Sequence, residues 1–171
     1  MGTIQIYTGN GKGKTTAALG QALRAVGQGF QVIVIQFMKG KINYGELEAV
    51  KKLAGFTIEQ YGLPTFVNKA KPSKEDIALA KKGFARAKEV ILSDKYDMVI
   101  LDEINVALDY GLVPLKELLE VVKQKPQNIE LILTGRYAPK ELIEVADLVT
   151  EMKEIKHHYR KGIQARKGIE Y

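Results

Sequence analysis

The chain has 171 residues, no cysteine and a formal net charge of +6. A protein without cysteine forms neither disulfides nor thiolate zinc sites, and it has no thiolate nucleophile. No apolar run approaches the roughly 20 residues of a membrane span, and the first residues lead directly into a strand pattern without a signal peptide, so we expect a cytoplasmic protein.

The length suits a single domain over residues 1–171, because a chain of this size buries about 70% of the surface that it exposes when unfolded. Its positive charge is concentrated in a basic tail, residues 153–171. Six lysine and arginine residues stand against one glutamate between positions 153 and 167. Such a tail attracts nucleic acid, an acidic membrane or an anionic small molecule, or it is simply solvated, and the sequence leaves these alternatives open.

The first predicted element is a strand at residues 4–8, and a glycine-rich loop follows it. The loop consists of Gly9, Asn10, Gly11, Lys12, Gly13, Lys14, Thr15 and Thr16. Glycine permits positive φ, so successive backbone N–H groups can point into one cup, and a helix start adds further unpaired donors. In this pattern the Lys14 ammonium binds phosphates and the Thr15 hydroxyl binds magnesium. The loop therefore predicts a bound Mg-nucleoside triphosphate.

One position of the loop departs from the usual pattern. Thr8 stands five positions before the Gly13-Lys14 pair, where glycine is usual, so we expect a reshaped phosphate cradle. The residues after the loop predict an amphipathic helix with an apolar face formed by Leu19, Ala22, Leu23 and Val26.

Further apolar runs alternate with helical patterns along the chain. They predict strands at residues 31–37, 57–60, 98–101, 129–134 and 148–150. The clearest helix opens at Ser73, which pairs with Asp76 in a capping-box pattern and precedes the apolar positions Ile77, Ala80, Phe84, Ala87 and Ile91. Two more helices are expected after Pro114 and Pro139. The pattern predicts an α/β fold with one doubly wound, mostly parallel sheet and flanking helices, the RecA-like architecture of P-loop NTPases.

The segment 61–68 interrupts this alternation. It contains Tyr61, Leu63 and Phe66, while Gly62 and Pro64 keep it out of regular structure. It either covers a hydrophobic ligand or packs on the protein's own core. Phe37 and Met38, in contrast, are expected in the core.

Asp102 and Glu103 follow a continuous apolar run that is typical of a buried parallel strand. Carboxylates at the carboxyl end of such a strand face the phosphate loop, where magnesium can balance their charge. Asp102 is expected to bind the metal directly or through a ligand, and Glu103 to bind the metal or to activate water.

Arg136 follows another predicted strand, and we expect it at the same sheet edge as Lys14 and Asp102. Its guanidinium would bind a polyphosphate or a carboxylate, or form a surface ion pair. His157 and His158 lie in the tail without metal-ligand spacing, so we expect them to act through charge or contact.

Five blocks of the sequence, in this order, resemble the P-loop type of ATP:corrinoid adenosyltransferase, and the resemblance covers the chain from end to end. The blocks are Gly9 to Ala18, Gln36-Phe37-Met38-Lys39-Gly40, Val99-Ile100-Leu101-Asp102-Glu103, Leu133-Thr134-Gly135-Arg136, and Lys156-His157 with Gly162-Ile163-Gln164-Ala165 and Gly168-Ile169-Glu170-Tyr171.

The resemblance implies that Co(I) of a reduced corrinoid attacks the 5′ carbon of ATP and displaces tripolyphosphate. In that family the nucleotide binds in the reverse direction, which agrees with Thr8. Residues 9–16 would bind the triphosphate, and Lys14, Glu103 and Arg136 are the expected catalytic residues. Thr15 and Glu103, with Asp102, would hold Mg²⁺. The resemblance also implies a flavoprotein electron donor and a homodimer, and it gives no reason to expect a nucleic-acid or membrane partner.

Two features differ from better-known family members. Those members have an N-terminal extension that covers the corrinoid, whereas three residues precede the first strand here, so we expect the cover to come from elsewhere. Members also place a Phe and a Trp in the loop that displaces the lower ligand of cobalt. The matching region here has Leu63 and Phe66, and we expect these residues and Tyr61 to contact the corrinoid.

Other reactions share this nucleotide site. A P-loop kinase would transfer the γ-phosphoryl group to a small acceptor, although the related thymidine kinases usually carry zinc-binding cysteines. A nucleic-acid-dependent ATPase would use Glu103 as the base for water and the tail for phosphate contacts. A nucleotide-binding regulator without activity is the third alternative.

Overall fold

The computed structural model describes residues 1–40 and 44–171. Its six strands form one parallel sheet in the order β3-β2-β4-β5-β1-β6. The strands are β1 (Ile4–Thr8), β2 (Val32–Phe37), β3 (Phe56–Tyr61), β4 (Met98–Asp102), β5 (Glu130–Thr134) and β6 (Leu148–Glu151). All six predicted strands are therefore confirmed within two residues at each end, as is the α/β fold class with its doubly wound sheet.

In the part of the chain that the structure describes, six α-helices connect the strands. They are α1 (Lys14–Val26), α2 (Gly45–Val50), α3 (Lys74–Leu92), α4 (Ile104–Asp109), α5 (Leu115–Gln124) and α6 (Lys140–Val145), and a short 3-10 helix lies at His158–Lys161. The predicted capping box begins α3: the Ser73 hydroxyl accepts from the Asp76 N–H at 3.0 Å, and the Asp76 carboxylate accepts from the Ser73 N–H at 2.9 Å. The predicted helices after Pro114 and Pro139 are α5 and α6. None of the helices in the described residues is long and apolar enough to cross a membrane.

Strands β2, β4 and β5 are buried on both faces, whereas the edge strand β6 is exposed. Alternate strand residues point to opposite sides, so each buried strand contributes to two cores. Val32 and Val34 of β2 belong to the core under α1, whereas Ile33 and Ile35 belong to the larger core. Four helices, α3 to α6, contribute side chains to that larger core. Because both sides of β2 and β4 are covered by helices, every position of these strands is apolar or buried, which explains their continuous apolar runs.

The predicted apolar face of α1 is partly wrong. The residues that face the sheet are small, namely Ala18, Ala22 and Ala25, whereas Leu23 is 55% exposed. Small side chains allow the helix axis to approach the strands closely, so the buried face follows residue size as well as hydrophobicity. Phe37 is fully buried as predicted.

Two glycines bring the loops after β2 and β3 into direct backbone contact. A methyl group added to Gly40 would lie 1.8 Å from the carbonyl oxygen of Gly62, and one added to Gly62 would lie 2.4 Å from the Lys39 nitrogen. Any larger residue at either position would push the two loops apart.

Candidate functional site

The phosphate loop lies between β1 and α1 and is shaped by two glycines with positive φ, Gly9 at 94° and Gly13 at 120°. Its lysine folds back into the loop: the Lys14 ammonium donates to the carbonyl oxygens of Gly9 at 2.9 Å and Gly11 at 2.7 Å. Burial lowers the pKa of Lys14, an effect that the Glu103 carboxylate opposes and the Arg136 guanidinium reinforces. The ammonium is thus fixed at the centre of the cradle.

Asp102, at the end of β4, is fully buried and accepts four hydrogen bonds. One carboxylate oxygen accepts from the hydroxyls of Thr15 at 2.8 Å and Thr134 at 2.7 Å. The other accepts from the Gln36 amide at 3.1 Å and the Lys39 ammonium at 2.7 Å. Burial acts to raise the pKa of Asp102, but the charge and hydrogen bond of Lys39 and the two hydroxyls outweigh it and lower that pKa.

Lys39 and Thr134 belong to this site although the sequence reasoning assigned no role to either. Both stand in sequence blocks that carried the family resemblance, Lys39 two residues after β2 and Thr134 at the end of β5. That position at the carboxyl edge of a parallel sheet is the signal that could have identified them. Thr134 also accepts a hydrogen bond from the Glu103 backbone N–H at 3.0 Å.

Glu103 faces the same space from a strained backbone position. Its φ of 63° lies in the left-handed region, and over the described residues its carboxylate accepts no hydrogen bond. Burial and the neighbouring Asp102 carboxylate raise the pKa of Glu103, against the opposing charges of Lys39, Lys14 and Arg136. Left-handed non-glycine residues are costly and are concentrated at functional sites. Met38 and Tyr137, which follow β2 and β5, share this conformation.

A cavity of about 760 Å³ opens in front of these groups and has a polar and an apolar part. The polar wall includes residues 11–16 of the phosphate loop, Lys39, Glu103 and Arg136, which places Arg136 at the predicted edge. The apolar wall is formed by Met38, Phe66, Val67, Val106, Tyr110 and Tyr137. Met38, expected in the core, therefore touches both the core and the cavity.

The other predicted contact residues lie elsewhere. Neither Tyr61 nor Leu63 is among the described residues that line the cavity, and the same is true of Gly9 and Asn10. The Tyr61 hydroxyl donates to Glu59 at 2.8 Å, and burial with this carboxylate raises the pKa of Tyr61 to about 12. Phe66, in contrast, is completely exposed at the mouth of the cavity.

The basic tail lies against the phosphate loop. The Lys12 ammonium donates to the carbonyl of Ile169 in the tail at 3.4 Å, and the Gly11 N–H donates at 2.6 Å to the carbonyl of Met152, the residue just before the tail. Two tail arginines are paired within the tail, Arg160 with Glu154 and Arg166 with Glu170. His157 and residues 168–171 line the cavity, while His158 lies 3.5 Å from Glu170. Within the described ranges no group of three or more His, Asp or Glu side chains has metal-binding geometry.

Comparison with known proteins gives one consistent result. Residues 1–171 match the family described as ATP:corrinoid adenosyltransferase BtuR/CobO/CobP. A corrinoid adenosyltransferase of Sinorhizobium sp. is 42% identical over 99% of this chain and 80% of its own length. The corrinoid adenosyltransferase of Escherichia coli K12 is 36% identical, and corrinoid adenosyltransferase CobA of Salmonella typhimurium is 35% identical. Each of those two matches covers 99% of this chain and 86% of the relative.

Proposed function

Because the chain belongs to the ATP:corrinoid adenosyltransferase family, we propose that it is a transferase that moves the adenosyl group of ATP to Co(I) of a reduced corrinoid. Cobalt supplies the electron pair of the new cobalt–carbon bond. The bond between the 5′ carbon and its oxygen breaks, and that electron pair leaves with tripolyphosphate. The reaction needs alignment and charge neutralisation from the protein rather than a protein nucleophile.

The observation that carries this proposal is the two-sided cavity. Its polar wall suits a triphosphate, because it carries residues 11–16 of the phosphate loop, which include Lys14, and the cations Lys39 and Arg136. Its apolar wall, with Phe66, Tyr110 and Tyr137, suits the face of a large planar macrocycle.

The residues present fit Mg²⁺. The Thr15 hydroxyl donates its hydrogen to Asp102, so its oxygen lone pairs remain available to a metal ion. Glu103 lines the cavity. Mg²⁺ prefers such oxygen donors, and it is commonly held by one or two protein ligands together with substrate phosphates and water. Since Asp102 already accepts four hydrogen bonds, we assign Thr15 and Glu103 as ligands and Asp102 as the group that orients Thr15. When bound, the metal would neutralise charge on the triphosphate.

Lys14 and Arg136 are the proposed catalytic cations, and residues 9–16 the proposed triphosphate cradle. Both side chains neutralise charge that grows on the departing tripolyphosphate. The reverse direction of the nucleotide is part of the proposal, and it is supported by Thr8 in place of the usual glycine. Phe66 is the proposed corrinoid contact, whereas Tyr61 and Leu63 would reach the corrinoid only if the loop at 61–68 moved.

Several finer points rest on the family or on the sequence. We propose a single functional domain, a homodimer and a flavoprotein as the source of electrons for cobalt. A cytoplasmic location agrees with the lack of cysteine.

The test is to incubate the protein with ATP, Mg²⁺ and a chemically reduced corrinoid. The proposal expects an alkylcobalt absorption spectrum together with one tripolyphosphate per corrinoid converted. Formation of ADP with a phosphorylated acceptor, or of ADP and phosphate without alkylcobalt, would show phosphoryl transfer instead and would overturn the proposal.

A further inference from the structure

Lys39 stands out because it brings a second lysine to the cavity, from a different part of the chain than the phosphate loop. Lys14 comes from the start of α1, whereas Lys39 follows β2, and both line the same polar wall. Its side chain is 17% exposed. Placing an ammonium largely away from water is costly, and the Asp102 carboxylate offsets that cost.

The ammonium is held in a fixed position on two sides. Asp102 accepts its hydrogen bond at 2.7 Å, and the ring of Tyr44 lies under it with a centroid distance of 5.4 Å. The backbone is fixed as well, because Met38 before it has a φ of 57° and Gly40 after it packs against Gly62. A flexible side chain fixed in advance loses less entropy when it binds a ligand.

Asp102 uses only part of the donor capacity of this group. A lysine ammonium has three N–H donors, and within the described residues Asp102 is its single hydrogen-bond acceptor. Because Lys39 borders the cavity, the remaining donors have access to anionic oxygen there. A group that served only to neutralise Asp102 would not need to reach the cavity wall.

We propose that Lys39 is a second, preorganised ammonium of the triphosphate site, which donates hydrogen bonds to triphosphate oxygens in addition to those from Lys14. The inference rests on the proposed function, since that function supplies the triphosphate. Lys39 thereby binds the substrate as ATP and stabilises the same group as it leaves. Asp102 links its position to that of Thr15, so both are set by one carboxylate.

A binding experiment with inorganic tripolyphosphate and Mg²⁺ tests the inference apart from corrinoid chemistry. By isothermal titration calorimetry, Lys39→Met should raise the Kd for tripolyphosphate about tenfold, the size of one lost charge-assisted hydrogen bond. Lys39→Arg keeps a cation and should recover most of the affinity. Lys51→Met is the matched control, because the Lys51 side chain is 65% exposed and pairs with the exposed Glu48; its Kd should equal that of the wild type.

A second comparison separates direct contact from an effect through Asp102. The single variant Asp102→Asn is compared with the double variant Asp102→Asn/Lys39→Met, so that the carboxylate is absent from both. Direct contact predicts about tenfold weaker tripolyphosphate binding by the double variant. Equal affinity would overturn the inference. These two variants test direct contact between Lys39 and tripolyphosphate even if Lys39→Met alone fails to fold because Asp102 loses its cation.

The adenosyltransferase reaction of the wild type is measured in parallel. If alkylcobalt forms while the two variants that share Asp102→Asn bind tripolyphosphate equally, the role of Lys39 is wrong and the proposed function stands. If no alkylcobalt forms, the proposed function fails, and the binding data still decide whether Lys39 contacts the anion.

Discussion

The Thr15 hydroxyl donates a 2.8 Å hydrogen bond to the Asp102 carboxylate, which joins the first turn of α1 to the end of β4. The same carboxylate oxygen accepts from Thr134 on β5. Three elements that are distant in the chain are thereby fixed relative to each other by one buried group. Because the hydrogens of both hydroxyls point at Asp102, the lone pairs of Thr15 remain available for a cation.

Replacing Lys14 by alanine should abolish most turnover with little effect on folding. The Lys14 ammonium sits between the loop carbonyls of Gly9 and Gly11, where a phosphate chain would follow the loop. Loss of a preorganised cation should lower kcat/KM for ATP by at least about 100-fold. Alkylcobalt formation measures the activity and circular dichroism the fold. Lys95→Ala, at an exposed position, is the control, and activity within a few fold of wild type in Lys14→Ala would contradict the assignment.

Glu103→Gly should remove activity while making the protein at least as stable. Glycine adopts the φ of 63° without the left-handed penalty of about 1–2 kcal/mol, and part of that gain is offset by its greater freedom when unfolded. We expect the free energy of unfolding to rise by about 1 kcal/mol, measured by chemical denaturation.

Asp94→Gly is the control for this prediction. Asp94 also has positive φ, at 53°, but it is exposed and lies outside the set of cavity-lining residues. That variant should keep its activity. Full activity in Glu103→Gly would exclude Glu103 from the metal site, and a clear loss of stability would show that its backbone is not strained.

Phe66→Ala should chiefly impair reaction with corrinoids that carry a bound lower ligand. The ring is completely exposed, so its removal should leave the thermal midpoint unchanged. The ratio of kcat/KM for corrinoids with and without the lower ligand measures the effect, and we expect it to fall about tenfold, the scale of a lost apolar contact. Ile155→Ala removes another exposed apolar side chain as a control. An unchanged ratio would refute the role of Phe66.

Glu59 should make acid-side stability depend on pH. Burial acts to raise the pKa of Glu59, but hydrogen bonds from Arg86, at 2.9 and 3.1 Å, and from Tyr61 outweigh it and hold that pKa below its usual 4.5. The folded state therefore binds this proton more weakly than the unfolded state. The resulting stability is present above the ordinary pKa and is lost as pH falls through the folded value.

Glu59→Gln should accordingly cost more stability near pH 7 than near pH 3, by about 1 kcal/mol for a partly exposed pair. Urea denaturation at both pH values measures the difference. Glu48→Gln, which removes a pair that is two-thirds exposed, should show none. An equal cost of Glu59→Gln at both pH values would mean that the pair with Arg86 does not lower this pKa.

The sequence was sufficient to predict the features that depend on local pattern. The run at 98–101 predicted a buried strand, and its position placed Asp102 at the edge that faces Lys14. The contact between Lys39 and Asp102 spans 63 positions in the chain, and a lysine after a strand has no local signal that distinguishes it from a solvated one.

The backbone conformation of the loop residues and the position of the C-terminal tail were harder to predict than the helices and strands. The positive φ of Met38, Glu103 and Tyr137 is imposed by loop geometry. It could not be predicted from these residue types, because none of them favours the left-handed region. Charge is the main feature that distinguishes the tail in the sequence, whereas its contact with Lys12 is made by the backbone carbonyl of Ile169, a group that every residue has.

The contact between Gly40 and Gly62 joins the loop that carries Lys39 to the segment 61–68, which contains Phe66. Because the two backbones touch without side chains between them, a movement of one loop would be transmitted to the other. Under the proposed function, arrival of the corrinoid at Phe66 would therefore shift Lys39, and an alanine at position 40 or 62 would alter this coupling.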